Sequence, residues 1–238
     1  EEIIGNLNRL SDELNSVKVL REDFISNVSH EFKTPLAVIR NYAQLIEYDF
    51  RPEYIRKINS TAERMTQLVS DILYLSKLES QQIYPRNETF SLSETVRKVL
   101  IDYEDRIEEK KLSLEADMDE VEIRSDESMV TLLVSNLVSN AVKFTEAGNI
   151  AVSLHFSGDR AELKVADSGC GIAREEIRHI FEKHYRADNA AGEGNGLGLA
   201  MVRQIADVLS FDISVTSEPG AGTTFTILIP QQYNSNNP

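Results

Sequence analysis

The chain has 238 residues, 41% of them hydrophobic and 27% charged, and a formal net charge of −14. That length holds one large domain or two small ones, and the acidity argues against a nucleic-acid surface and requires a metal ion or local Lys/Arg wherever a nucleotide binds. No apolar run reaches the roughly 18 residues that would span a bilayer, and lone Cys170 excludes an intramolecular disulfide, which fits a reducing compartment.

Residues 3–28 carry Ile3, Leu7, Leu10, Leu14 and Val17, then Phe24 and Val28, at spacings that predict a coiled-coil seam. Glu1 opens the chain inside this pattern, which implies a piece of a longer protein. Arg21 interrupts the seam, which resumes through Ile25, Val28, Phe32, Ile39, Tyr42 and Ile46. Pro35 lies inside this stretch and predicts a kink. Pro52 and its polar neighbours end the helix. A second one is expected through Ile58, Thr61, Met65, Leu68, Ile72 and Leu75. Two such helices make a hairpin with one buried seam, so two chains are expected to form a four-helix bundle.

Residues 85–88 read as a linker into mixed α and β structure. Helices are expected at 93–110, 127–144, 173–180 and 197–209. Strands are expected at 112–117, 121–124, 149–156, 161–167, 211–216 and 223–229. Residues 186–196, rich in Gly, Asn and Asp, read as a loop, and the residues after Pro230 as a polar tail.

Five patterns carry chemistry. Ser29-His30-Glu31-Phe32-Lys33-Thr34-Pro35 puts His30 on an exposed helix face. A surface histidine is more often only solvated. Here Glu31 can take a proton from one ring nitrogen and leave the other nucleophilic, and Thr34 shares the face one turn on. Asn136, Asn140 and Lys143 share a helical face at offsets of four and three, ending at Phe144. Amide oxygens suit Mg²⁺ and a lysine suits phosphates, although an ordinary polar face would look the same. Asp167-Ser168-Gly169-Cys170-Gly171-Ile172 follows a strand. It offers a carboxylate acceptor for an adenine amino group, or simply a glycine turn. Phe181 and Tyr185 can anchor the following loop, and Arg186 can reach a phosphate. Gly194-Asn195-Gly196-Leu197-Gly198-Leu199 opens a helix whose free N–H groups attract phosphate; it is neither a Walker loop nor a dinucleotide fingerprint.

In this order, over residues 20–230, the patterns resemble the phosphoacceptor, asparagine, first glycine, phenylalanine and second glycine boxes of the sensor histidine kinase family. The resemblance implies an α+β protein. An N-terminal helical hairpin would form a dimeric four-helix bundle, followed by an α/β-sandwich ATP-binding domain of the Hsp90, gyrase and MutL type. The expected layout is a signalling coiled coil at 1–20, the dimerisation and phosphoacceptor domain at 21–84, the ATP-binding domain at 88–232 and a tail at 233–238. By resemblance, His30 is the phosphoacceptor, Glu31 its acid/base helper and Thr34 the holder of water in a phosphatase reaction. Asn140 binds Mg²⁺, with Asn136 and Lys143 at the phosphates and Phe144 beside them. Asp167 reads adenine, with Gly169, Gly171 and Ile172 shaping its pocket. Gly194, Gly196, Leu197, Gly198 and Leu199 flank the triphosphate beneath a lid that includes Phe181, Tyr185 and Arg186. ATP and Mg²⁺ are the implied cofactors. A second copy of the chain and a response regulator are the implied partners, with no nucleic acid. A segment beyond this chain would anchor the full-length protein in a bacterial inner or plasma membrane, leaving this portion cytoplasmic. His184 departs from the family's usual Phe and Glu193 from its usual Gly, both on the lid.

Two other functions share parts of this pattern. An ATP-hydrolysing switch of the Hsp90 or MutL kind would carry a water-activating Glu one turn before the metal-binding Asn, and Asn136 stands there instead. A nucleotide-sensing scaffold would bind ATP without transferring phosphate.

Overall fold

The computed structural model describes residues 29, 31–157, 159–183, 185 and 196–230, with backbone only at Ser157. The coiled-coil seam expected at 3–28, together with His30, His184, Arg186, Glu193, Gly194 and the tail, lies outside the described residues. The chain divides into two compact units, residues 1–72 and 73–238.

In the first unit, helix α1 covers 31–48 and includes Pro35. A short break follows, where Arg51 pairs with Asp49 at 2.7 Å. Pro52 then starts α2, Pro52–Glu79, at the position where a missing N–H costs nothing. The rings of Tyr42 and Tyr54 lie 5.5 Å apart and join the two helices. Thr61 is fully buried and its hydroxyl donates to the Lys57 carbonyl at 2.7 Å, so a polar side chain occupies the seam with its hydrogen bond made locally. Leu68 is buried too, whereas Leu36, Leu45, Ile55 and Val69 are exposed.

The end of α2 lies in the second unit. Gln81 adopts a left-handed φ of 52°, and the N–H groups of Gln82 and Gln81 return to the carbonyls of Lys77 and Leu78. This is a Schellman stop built without glycine. Strand β1, Glu88–Ser91, pairs antiparallel with β3, Glu122–Ser125; β1 occupies the end of the expected linker. Ser91 caps α3, Leu92–Asp102, by accepting from the Glu94 N–H. The single helix expected at 93–110 is two: the chain breaks at Tyr103 and resumes as α4, Glu104–Glu109. The Tyr103 hydroxyl meets Ser135, on the next long helix, at 3.1 Å, a polar anchor that apolar periodicity does not register. α4 ends in the same way as α2, with Lys111 at φ 55°.

Strands β2 (Ser113–Met118), β4 (Asn149–Ser157), β5 (Arg160–Asp167), β6 (Asp212–Glu218) and β7 (Gly222–Pro230) form one sheet in the order β2-β4-β5-β7-β6. β2 runs parallel to β4 and the other pairs are antiparallel. Helix α5, Glu127–Phe144, packs against β5, α3 and α6; α6, Gly198–Leu209, packs against β6 as well. Leu133, Leu137 and Val138 of α5 are buried, as are Ile150, Leu154, Leu163, Val165 and Ile227 of the sheet. Burial alternates along β5 and β7, so the sheet has one covered face and one wetter face. Residues 173–180, expected as a helix, form a succession of turns instead. The N–H groups of Glu176 and Ile177 both return to Ala173, and that of His179 to Glu176.

Candidate functional site

The site gathers around the C-terminal half of α5 and the end of β5. Asp126 starts α5 by accepting from the Met129 N–H at 3.0 Å, and eight buried residues fix the helix's inner face. Asn136, Asn140, Lys143 and Phe144 remain half-buried on its other side. The Asn136 amide nitrogen donates to the Leu132 carbonyl at 2.8 Å. The Lys143 ammonium stands 4.4 Å from the centre of the Phe144 ring.

Asp167 ends β5, half-buried. Its carboxylate accepts from the Gly169 N–H at 2.9 Å and from the Thr223 N–H of β7, the strand partner directly opposite. Burial raises its pKa above the usual aspartate value; the two N–H groups oppose that rise without cancelling it. An acceptor in such a place suits a ligand that donates a hydrogen bond. The turn after it is closely held. The Cys170 N–H reaches the Phe144 carbonyl at 3.3 Å. Gly171 takes a φ of 68° against the Glu218 carbonyl, a place a Cβ would fill. The Ile172 N–H donates to the Ser217 hydroxyl at 2.8 Å.

Gly196, with φ 64°, and buried Leu197 lead into α6, where Gly198 and Leu199 open the helix. The Leu197 cap of α6 makes no side-chain hydrogen bond, and a helix start is a place where backbone N–H groups favour an anion. Phe181 packs edge-on against Phe225 of β7 with ring centres 6.4 Å apart. The Tyr185 hydroxyl meets Glu176 at 3.2 Å. Asn136, Asn140, Lys143 and Phe144 thus share one side of α5; the Asp167 turn, with Gly169, Gly171 and Ile172, meets it at the Phe144 carbonyl, and Gly198, flanked by Gly196, Leu197 and Leu199, meets it at Asn136, while Phe181 and Tyr185 lie after the turns at 173–180. Glu31 and Thr34 lie on α1 in the other unit.

Three contributors had no mark in the motif reading. Thr223 was legible only as a strand residue, and its role follows from the register of β5 with β7. Ser217 joins Ile172 to Thr223, whose hydroxyl lies 2.8 Å away. Lys110 donates to the carbonyls of Val142, Lys143 and Thr145 at 2.8 to 3.1 Å.

Two family models match the chain: the His Kinase A (phospho-acceptor) domain over residues 20–81, and the histidine kinase-, DNA gyrase B- and HSP90-like ATPase over residues 125–233. Sensor histidine kinase RcsC of Escherichia coli K12 is 33% identical over 218 residues, which is 87% of this chain and 23% of RcsC. The chain thus spans about a quarter of that relative's length. The structure of Acinetobacter baumannii histidine kinase AdeS is similar with a TM-score of 0.73 and 29% identity, over 85% of this chain and 98% of AdeS. Full-length ShkA in complex with AMPPNP gives a TM-score of 0.67 and 29% identity, over 86% of this chain and 45% of ShkA. A phospho-acceptor segment followed by this ATPase-type domain, matched in that order, makes the chain a member of the sensor histidine kinase family.

Proposed function

We propose that the chain is the catalytic core of an ATP-dependent protein-histidine kinase. The observation that carries this reading is the Asp167 carboxylate, half-buried and held by two backbone N–H groups between a tight glycine turn and the end of α5. A ligand with an amino edge and a phosphate tail fits that arrangement. The amino group faces Asp167, and the phosphates face Lys143 and the start of α6. ShkA, a structural relative, was seen with AMPPNP, an ATP analogue.

The donor chemistry at the phosphate end suits Mg²⁺. Among the described residues there is no group of three or more His, Cys, Asp or Glu that could cage a metal. A cation arriving with the phosphates and touching the protein through one or two amide oxygens needs no cage. Asn140 would hold it, and it would offset charge on the transferred phosphoryl group. The chain's own residues do the rest. A ring nitrogen of His30 attacks the γ-phosphorus, a P–N bond forms, the bond to the β–γ bridging oxygen breaks and ADP leaves. Glu31 holds the proton on the other ring nitrogen. The phosphoryl group then passes to an aspartate of a response regulator, and the same hairpin, with Thr34, supports removal of that phosphate by water. Two copies of the hairpin form the working dimer. The full-length protein is a membrane-anchored bacterial sensor whose cytoplasmic portion is this chain. Among the described residues no helix is long and apolar enough to cross a membrane.

Incubation with γ-labelled ATP and Mg²⁺, followed by mapping of acid-labile phosphate, tests this. Label is expected on His30 and absent from His30→Gln, whose ATP affinity stays unchanged. Free phosphate with no labelled protein would favour an ATP-hydrolysing switch and overturn the kinase reading.

A further inference from the structure

An α-helix leaves its last four carbonyls without partners inside the helix. In α5 these belong to Ala141, Val142, Lys143 and Phe144, and each has a partner. The Ala141 carbonyl accepts from the Thr145 N–H and hydroxyl. Those of Val142 and Lys143 accept from the Lys110 ammonium at 2.8 and 3.1 Å. That of Phe144 accepts from the Cys170 N–H at 3.3 Å. Lys110 also reaches the Thr145 carbonyl at 3.0 Å, so its three protons have three acceptors.

Resting on the reading of this site as a nucleotide pocket, we propose that Lys110 is a positioning residue for it. Lys110 grips the backbone of 142–145 through these three carbonyls. That backbone presents the Lys143 side chain to the phosphates. It also presents the Phe144 carbonyl to the turn that follows Asp167. The fit there is close: a Cβ at Gly169 would stand 2.4 Å from the Phe144 carbonyl oxygen. A small shift of the α5 end therefore displaces the adenine-reading turn and the phosphate-facing lysine together. Lys110 is itself fixed at the close of α4. Its N–H returns to the Arg106 carbonyl, and Lys111 turns the chain with a left-handed φ. A cation also suits the negative end of α5. An ammonium can aim three protons at three converging carbonyls, which a planar guanidinium cannot.

The test is ATP binding by titration calorimetry on the full chain, with GTP as a second ligand and a thermal melt of each variant. Lys110→Met is expected to weaken ATP binding roughly tenfold, the size of one lost charge-assisted hydrogen bond. It should also narrow the preference for ATP over GTP, because the turn carrying Asp167 loses its support. Lys110→Gln, with two donors left, is expected to lose less, and it carries the test if Lys110→Met fails to fold. Ile229→Val, buried at the far end of β7, supplies a control of lowered stability away from the pocket. Its ATP affinity and selectivity should match the parent chain. ATP binding by Lys110→Met and Lys110→Gln within twofold of the parent would overturn the proposal. So would an equal loss in Ile229→Val, since the effect would then track stability alone. Failure of the unsubstituted chain to bind ATP would overturn the nucleotide reading itself and this role with it.

Discussion

Asn136 and Gly198 fit against each other so closely that a Cβ at Gly198 would lie 2.8 Å from the Asn136 side-chain oxygen. The oxygen cannot easily turn away, because the amide nitrogen of the same side chain is committed to the Leu132 carbonyl. Two motifs far apart in sequence are thereby tied at one contact, α5 to the first turn of α6. Gly198→Ala is expected to cost about 1 to 3 kcal/mol through overpacking and to weaken ATP binding. Adding Asn136→Ala should return most of the stability. A double-mutant cycle by denaturant unfolding checks this; additive losses would mean that the contact is not what makes position 198 small.

Asp126 gives a pH dependence with a definite sign. Its burial favours the neutral acid, but hydrogen bonds from the Ser128 hydroxyl and from the N–H groups of Arg86, Met129 and Ser128 outweigh that and hold its pKa below the usual aspartate value. A carboxyl depressed on folding stabilises the protein above its unfolded pKa, and that contribution disappears as pH falls through the folded value. Asp126→Asn keeps a capping oxygen but loses the charge, so it should be less stable than the parent near neutral pH by about 0.3 to 1 kcal/mol, the range for a charge at a helix N-terminus. The gap should narrow as pH falls below the ordinary aspartate pKa of about 3.9 and close as it falls through the depressed folded value. Melting temperatures of both proteins across that range decide it, and a gap independent of pH would contradict it.

Asp167→Asn tests the adenine-reading role proposed for it. An amide can point its NH₂ at a ligand amino group, so a donor faces a donor. We expect ATP affinity to fall by tenfold or more, about the cost of an unpaired buried polar group, while the affinity of inorganic triphosphate stays the same. Equal loss for both ligands would place Asp167 outside base recognition.

Much of this site was legible because its chemistry sits in short runs. The α5 helix and its face of Asn136, Asn140 and Lys143 need only local periodicity, and the helix falls at 127–144 as read. What escaped the sequence depends on tertiary contact or on local geometry without a residue signature. Thr223 meets Asp167 only through strand register, and Lys110 meets α5 only because α4 ends beside it. The helix stops at Gln81, Lys111 and Ser210 use left-handed residues other than glycine, so no glycine marks them. The turns at 173–180 carry helix-compatible residues, and propensity alone could not reject a helix there.

The hairpin gives a sharper test of assembly than its seam alone allows. Ile58 and Ile72, central to the seam, are half-buried within one chain, so charging them would disturb the hairpin itself. Ile55 and Val69 occupy equivalent heptad positions and are 40% and 41% exposed, so they suit contact with a second copy. Ile55→Lys with Val69→Lys should leave helicity unchanged and shift the chain to monomer at micromolar concentration, because an unpaired buried ammonium costs several kcal/mol. Light scattering and circular dichroism read the two effects. A dimer as tight as the parent would show that this face is not the interface.

The two catalytic directions ask different things of α1. In the proposed mechanism, phosphorylation uses His30 as nucleophile and Glu31 to manage its proton. Dephosphorylation of the regulator needs a water held against a phospho-aspartate, and a hydroxyl can hold one. Thr34 is exposed on α1, one turn beyond the His30 position in sequence. Replacing it by alanine removes a hydroxyl and a methyl from the surface, so stability should change by no more than about 0.5 kcal/mol. Thr34→Ala is therefore expected to keep most autophosphorylation and lose most phosphatase activity, by tenfold or more if the hydroxyl positions the water. The competing account is that the Thr34 hydroxyl supports the helix ahead of Pro35 by bonding a backbone carbonyl. In that case both rates fall together or neither moves. Measuring both on purified Thr34→Ala with its regulator separates the accounts. Thr34→Ser sharpens the result, since it restores the hydroxyl without the methyl and should recover the phosphatase rate.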